Sequence, residues 1–169
     1  MIRLMGALFI AAGSAWLGFG AAGRLGARTR ALEELAEGLS RMARELELDQ
    51  PPLEQLLERL IPGSRGAART LFAGCRAALD HLEEEPFARA WERLVESEPL
   101  LNKEGQACLL PLGQVLGRCG WEEERRALDC TARRLEQEAG RAREERLRMG
   151  RVYQVLGLSG GAFLVILLL

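Results

Sequence analysis

The chain has 169 residues, 48% hydrophobic and 28% charged, with a formal net charge of −1, averages that describe one ordinary domain. No GxxxxGK[ST] loop occurs, the four cysteines show no CxxC spacing, and the basic residues lack interleaved aromatics, so nucleotide, zinc, thiol-redox and nucleic-acid readings have no residues to stand on. The average hides a strong segregation: residues 4–22 and 152–169 contain no Asp, Glu, Lys, Arg or His.

Residues 4–22 form a 19-residue apolar run. As a helix it would reach about 28 Å, close to the ~30 Å hydrocarbon core of a bilayer. Arg24, Arg28 and Arg30 follow at once and place that side in the cytoplasm. A cleaved signal peptide is the competing reading, because Arg3 precedes the run and Gly20, Ala21 and Ala22 suit a peptidase, but the run exceeds an ordinary signal core. Ser14 and Gly18 recur at four residues and predict a smooth strip on which another helix packs.

The next helix is predicted from Leu32, Leu35, Leu39, Met42 and Leu46, whose 3-4-3-4 spacing lines one seam. Asp49-Gln50-Pro51-Pro52 stops it, since proline disfavours helix in the residue before it and suits the first turn of the next. A short second helix carries Leu53, Leu56, Leu57, Leu60 and Ile61 and ends at Pro62-Gly63-Ser64. The third places Ala68, Leu71, Phe72, Cys75, Leu79 and Leu82 on one face and ends at Glu83-Glu84-Glu85-Pro86. The fourth presents Phe87, Trp91, Leu94 and Val95 before Pro99. The fifth starts after Asn102 as a cap and runs toward Gly117, with Pro111 predicting a kink or a shortened helix. The sixth starts near Trp121, places Leu128, Thr131, Leu135, Ala139 and Ala142 on one face, and enters the second apolar run, since Gly140 and Gly150 weaken it without stopping it.

That second run, residues 152–169, reads as another span because it carries no charge and its last part, Phe163 to Leu169, is apolar on every side. Arg141, Arg143, Arg146, Arg148 and Arg151 precede it and again put the middle of the chain in the cytoplasm. Gly157 and Gly161 form a GxxxG on which helices pack, within the chain or between copies. Neither run holds an Asp, Glu, Lys, Arg or His for a proton or ion path.

The predicted fold is therefore all-α: a six-helix antiparallel bundle over residues 24–151, flanked by transmembrane helices at 1–23 and 152–169. Short links and an even helix count put the turns at 49–52, 83–86 and 117–121 at one end, away from the membrane, and those at 62–65 and 99–103 near it. Residues 24–30 and 141–151 hold eight arginines against two glutamates, whereas residues 31–140 hold 14 basic and 22 acidic side chains. Arg24, Arg28, Arg30, Arg141, Arg143, Arg146, Arg148 and Arg151 are thus expected to meet an anionic membrane surface, each worth about 1 kcal/mol there. Asp49, Glu83, Glu84, Glu85 and Glu122, with Arg118 and Trp121, are the candidate partner-binding residues at the far end.

Catalytic chemistry has no foothold. His81, the single histidine, lies on a charged face beside Asp80 with no second histidine to pair with. Cys75, Cys108, Cys119 and Cys130 read as reduced core residues. No enzyme, cofactor or metal is expected.

"LGQVLGRCG" at 112–120, "ARRLEQEAGRAREERLRMGRVYQVLGL" at 132–158 and "LMGALFIAAGSAWLGFGAAGRL" at 4–25 resemble the stage III sporulation protein AB family. The resemblance runs nearly end to end, and its markers are Gly113, Gln114, Leu116 and Gly117, then Tyr153, Leu156 and Gly157. At 45–57, "ELELDQPPLEQLL" departs from the tyrosine and the Thr-Pro-Leu-Pro-Glu turn usual in that family. The resemblance implies a platform component of the secretion-like channel between mother cell and forespore during endospore formation. Its helical domain would be similar to that of type II secretion platform proteins, with channel-complex membrane proteins and an ATPase-like neighbour as partners, and a homo-oligomer is open. The alternative is a pore-forming or regulatory subunit of a membrane transport complex.

Overall fold

The computed structural model describes the backbone of residues 2–168 and the side chains of residue 23, residues 26–145, and residues 147 and 148. Among the described residues the chain is all-α, with six α-helices and no strand. They are α1 (Ile2–Asp49), α2 (Leu53–Leu60), α3 (Gly66–Leu79), α4 (Phe87–Ser97), α5 (Lys103–Leu109) and α6 (Trp121–Leu168), with 3-10 turns at Ile61–Gly63 and Leu110–Gln114. The chain divides into two compact units, residues 1–27 with 141–169, and residues 28–140.

In the first unit α1 and α6 are unbroken helices, so neither Gly20 nor Gly150 interrupts them. Among the described residues no helix is long and apolar enough to cross a membrane. The side chains of 4–22 and 152–169, which carry the two predicted spans with Ser14, Gly18, Gly157 and Gly161, lie outside the described residues, as do those of Arg24, Arg146 and Arg151.

The second unit is a helical bundle around one core. Leu32, Leu35, Leu39, Met42 and Leu46 of α1 are all buried, as their spacing requires. They meet Leu56, Leu57 and Leu60 of α2, Phe72 and Cys75 of α3, Trp91 and Val95 of α4, Leu109, Leu112 and Leu116, and Leu128 and Leu135 of α6. Each fully buried large aliphatic or aromatic side chain contributes about 1.5–3 kcal/mol. A carboxylate ties α1 to α3: Glu34 Oε2 accepts the Ala67 N–H at 3.1 Å, which satisfies a free donor at the start of α3. Asn102 caps α5 as predicted, its Oδ1 accepting the Gly105 N–H at 3.1 Å. Pro111 takes the shorter of its two predicted outcomes, ending α5 at Leu109 and opening the 3-10 turn.

Two expectations change. The third helix stops at Leu79 instead of reaching Leu82, because Pro86 bars helix at Glu85 and the chain reverses over 80–86. Leu82 is consequently 50% exposed rather than core. Of the four cysteines only Cys75 is a core residue, where burial pushes its thiol up to about 12; Cys108 and Cys119 are half-buried and Cys130 is exposed on α6.

Candidate functional site at the turn end

The links at 49–52, 80–86 and 115–120 fall at one end of the second unit, as their parity requires. There they frame a depression of about 540 Å3, lined by Leu53 and Glu54 of α2, Leu79 of α3, Leu82 and Pro86 of the second link, Phe87 and Ala88 of α4, and Leu116, Gly117 and Arg118.

Each wall follows from local chemistry. Gln50 ends α1 in the left-handed region with φ +48°, its N–H returning to Leu46 O at 3.2 Å, and Pro51-Pro52 then starts α2. The second link closes through Glu84 N–H to His81 O at 3.0 Å and Glu85 N–H to the same oxygen at 3.1 Å. Gly117 turns the third link with φ +71°, a conformation that favours glycine. Glu124 reaches back from α6 and accepts the Gly117 N–H at 2.8 Å and the Cys119 N–H. Burial raises the Glu124 carboxyl above its ordinary range, and those two backbone donors offset part of the rise. Burial, then the nearby Glu123 and Glu124 carboxylates, raises the Cys119 thiol.

The depression rests on a rigid layer. Trp91, 1% exposed, donates Nε1–H to Leu109 O at 2.9 Å, and its indole lies against Gly113. Behind α2, Arg76 is gripped by Glu54 at 2.7 Å, Glu58 at 3.0 Å and Asp80 at 2.7 Å, and the hydrogen bonds to Asp80 and Glu58 raise its already high pKa.

The seven candidate partner residues fall on the helix ends and links around this end, and only Arg118 lines the depression. Asp49 pairs with Arg59 at 2.9 Å, Glu85 with Arg93 at 2.6 Å, and Glu122 with Arg126 at 3.1 Å. Three of the five acids are thus neutralised within the chain, so the end is less acidic than its sequence. Glu83 is exposed and pairs with no cation among the described residues, and Glu84 lies 4.0 Å from His81 Nδ1. Arg118 is exposed and meets Gln114 Oε1 at 3.4 Å. Trp121 is 38% exposed. Period alone assigns Leu53, Leu79, Leu82 and Phe87 to the core; their opening to solvent depends on where α3 stops.

Among the predicted membrane-facing arginines, Arg30, Arg141, Arg143 and Arg148 are exposed, whereas Arg28 is partly buried 3.8 Å from Glu104. His81 is exposed as predicted. No group of three metal-ligating side chains occurs among the described residues.

A family model described as Stage III sporulation protein AB matches residues 3–169. The Stage III sporulation protein AB of Bacillus subtilis (strain 168) is 24% identical over 172 residues, spanning 100% of both chains. A solved structure of a Stage III sporulation protein AB is similar with a TM-score of 0.60 at 19% identity, covering 72% of this chain and 97% of that one, a likeness of fold.

Proposed function

The chain belongs to the stage III sporulation protein AB family and has a role in sporulation, and on that premise we propose that it is a non-enzymatic, membrane-anchored platform component of the channel assembly between mother cell and forespore. Two apolar helices, residues 4–22 and 152–169, anchor it in the cell membrane as a multi-pass protein, with the helical unit in the mother-cell cytoplasm. The arginines of 141–151 hold that unit against anionic headgroups.

The observation that carries the platform reading is the apolar depression where three links converge. A pocket of about 540 Å3 with aliphatic and aromatic walls and Arg118 at its edge can seat one or two large side chains of a docking segment. Loops at one end of a rigid bundle are where binding residues ordinarily collect. The resemblance names the partner class as an ATPase-like neighbour. The test is co-purification of that neighbour with the full chain in detergent, using Ala88→Arg to fill the depression and Arg118→Glu to reverse its edge. Loss of the neighbour with retained helical circular dichroism is expected; undiminished recovery with both variants overturns docking at this surface.

A further inference from the structure

The wall of the docking depression built from α2 and α3 carries more negative charge than its own cation offsets. Arg76 Nη2 meets Glu54 Oε1 at 2.7 Å, Nε meets Glu58 Oε1 at 3.0 Å, and Nη1 meets Asp80 Oδ1 at 2.7 Å. One guanidinium thus faces three carboxylates, and no other cation pairs with any of the three among the described residues. The Arg76 side chain is 24% exposed and the carboxylates 55–59%, so the surplus of two negative charges faces solvent. Glu54 lines the depression beside Leu53, and Asp80 follows directly on Leu79, which lines it too. The opposite edge has the other sign: Arg118 is exposed and pairs with no carboxylate among the described residues.

Tying α2 to α3 does not require that surplus. A guanidinium donates five N–H groups, and amide oxygens accept them as carboxylates do. What three carboxylates add is charge, and like charges crowded on one cation repel one another. A second cation beside them relieves the repulsion. Arg59, the nearest along α2, is already taken by Asp49 at 2.9 Å and Glu45 at 4.0 Å. Anionic headgroups would meet this wall with the wrong sign, so a lipid surface is a poor occupant.

We propose that the depression receives a segment of the docking partner in which a lysine or arginine flanks a large apolar side chain, the cation meeting Glu54 and Asp80. The apolar side chain sits among Leu53, Leu82 and Phe87, and its burial supplies most of the affinity. The acidic wall steers the encounter and selects the sign of the partner, because charges at an interface rim act chiefly on association rate and specificity. Arg118 faces a carboxylate across from that cation, and opposite signs on opposite edges let the segment dock in one direction only. This inference rests on the docking reading above and adds the chemistry of what docks.

The test measures binding of the purified ATPase-like neighbour to the full chain in detergent, at about 0.1 M and about 1 M salt, where charges are screened beyond about 10 Å and 3 Å. Glu54→Gln with Asp80→Asn keeps the acceptors of Arg76 and cancels the surplus. It should weaken binding by about tenfold at the lower salt and little at the higher. Arg76→Gln enlarges the surplus and should tighten binding at the lower salt, the reverse of what a clamp holding α2 to α3 would give. Circular dichroism melts establish that each variant is folded; if Arg76→Gln is not, the amide pair decides alone. Unchanged or tighter binding by the amide pair, weakening that is equal at both salts, or weakening by folded Arg76→Gln overturns the basic segment. Loss of binding with Ala88→Arg and Arg118→Glu beside any of those results leaves the docking depression standing. Binding that survives both depression variants, or a neighbour that does not bind the native chain, overturns both.

Discussion

At the scale of single residues, Gly113 is held by a contact with a ring that cannot move aside, that of Trp91. A Cβ on Gly113 would lie 2.7 Å from Trp91 Cδ1 and 2.9 Å from Cγ, and the indole cannot yield because its Nε1–H is spent on Leu109 O at 2.9 Å. Gly113→Ala should therefore cost about 1–3 kcal/mol, the ordinary penalty for overfilling a packed core. Gly140→Ala is the control, because nothing lies within 4 Å of its would-be Cβ; it should leave stability unchanged or raise it by up to about 1 kcal/mol. Thermal unfolding followed by circular dichroism reads both, and equal midpoints for the two variants would count against this packing. Gly113, Gln114, Leu116 and Gly117 carry the family resemblance, and three of them have a physical reason to be together. Gly113 admits the indole, Leu116 lines the docking depression, and Gly117 supplies the left-handed turn.

At the scale of elements, the third link depends on one carboxylate. Glu124, 8% exposed, bridges the start of α6 to Gly117 and Cys119. Its folded pKa lies above its ordinary 4.5, burial being the cause, so the folded chain keeps this proton to a higher pH than the unfolded chain does. Stability contributed by the group is then greatest below that ordinary value and declines as pH rises through the folded pKa. Glu124→Gln should remove this decline, making the variant's stability curve flatter from acid to neutral pH, while Glu124→Ala loses the turn's acceptor at every pH. Urea unfolding across that range measures it, and parallel curves for wild type and Glu124→Gln would contradict the assignment. Much at this scale was legible in the sequence. The seam of α1, the prolines at 51, 52, 86 and 111, and the Asn102 cap each act through a local rule. What escaped was decided by neighbours rather than by period. Leu82 fits the α3 face in register but lies beyond the helix end. Asp49, Glu85 and Glu122 read as an acidic face until Arg59, Arg93 and Arg126 are seen beside them.

At the scale of the whole molecule, the segregation that composition averages away is the dominant fact: two uncharged ends and a charged helical middle. The middle folds as a bundle in which three of the five reversals, at 49–52, 80–86 and 115–120, gather at one end, an arrangement that follows from the helix count and the shortness of the links. Arginines on the inner flank of both apolar runs argue that this bundle faces the cytoplasm, and the platform reading depends on that sidedness. Leu48, at the close of α1, is 77% exposed and does not line the docking depression. A chain carrying Leu48→Cys and Cys130→Ser in sporulating cells can therefore be treated with a membrane-impermeant maleimide before and after the membrane is opened, beside a chain carrying Cys130→Ser alone. Labelling at position 48 only after opening is the expected result; labelling there in intact cells would put the helical unit outside the cytoplasm and contradict the platform reading.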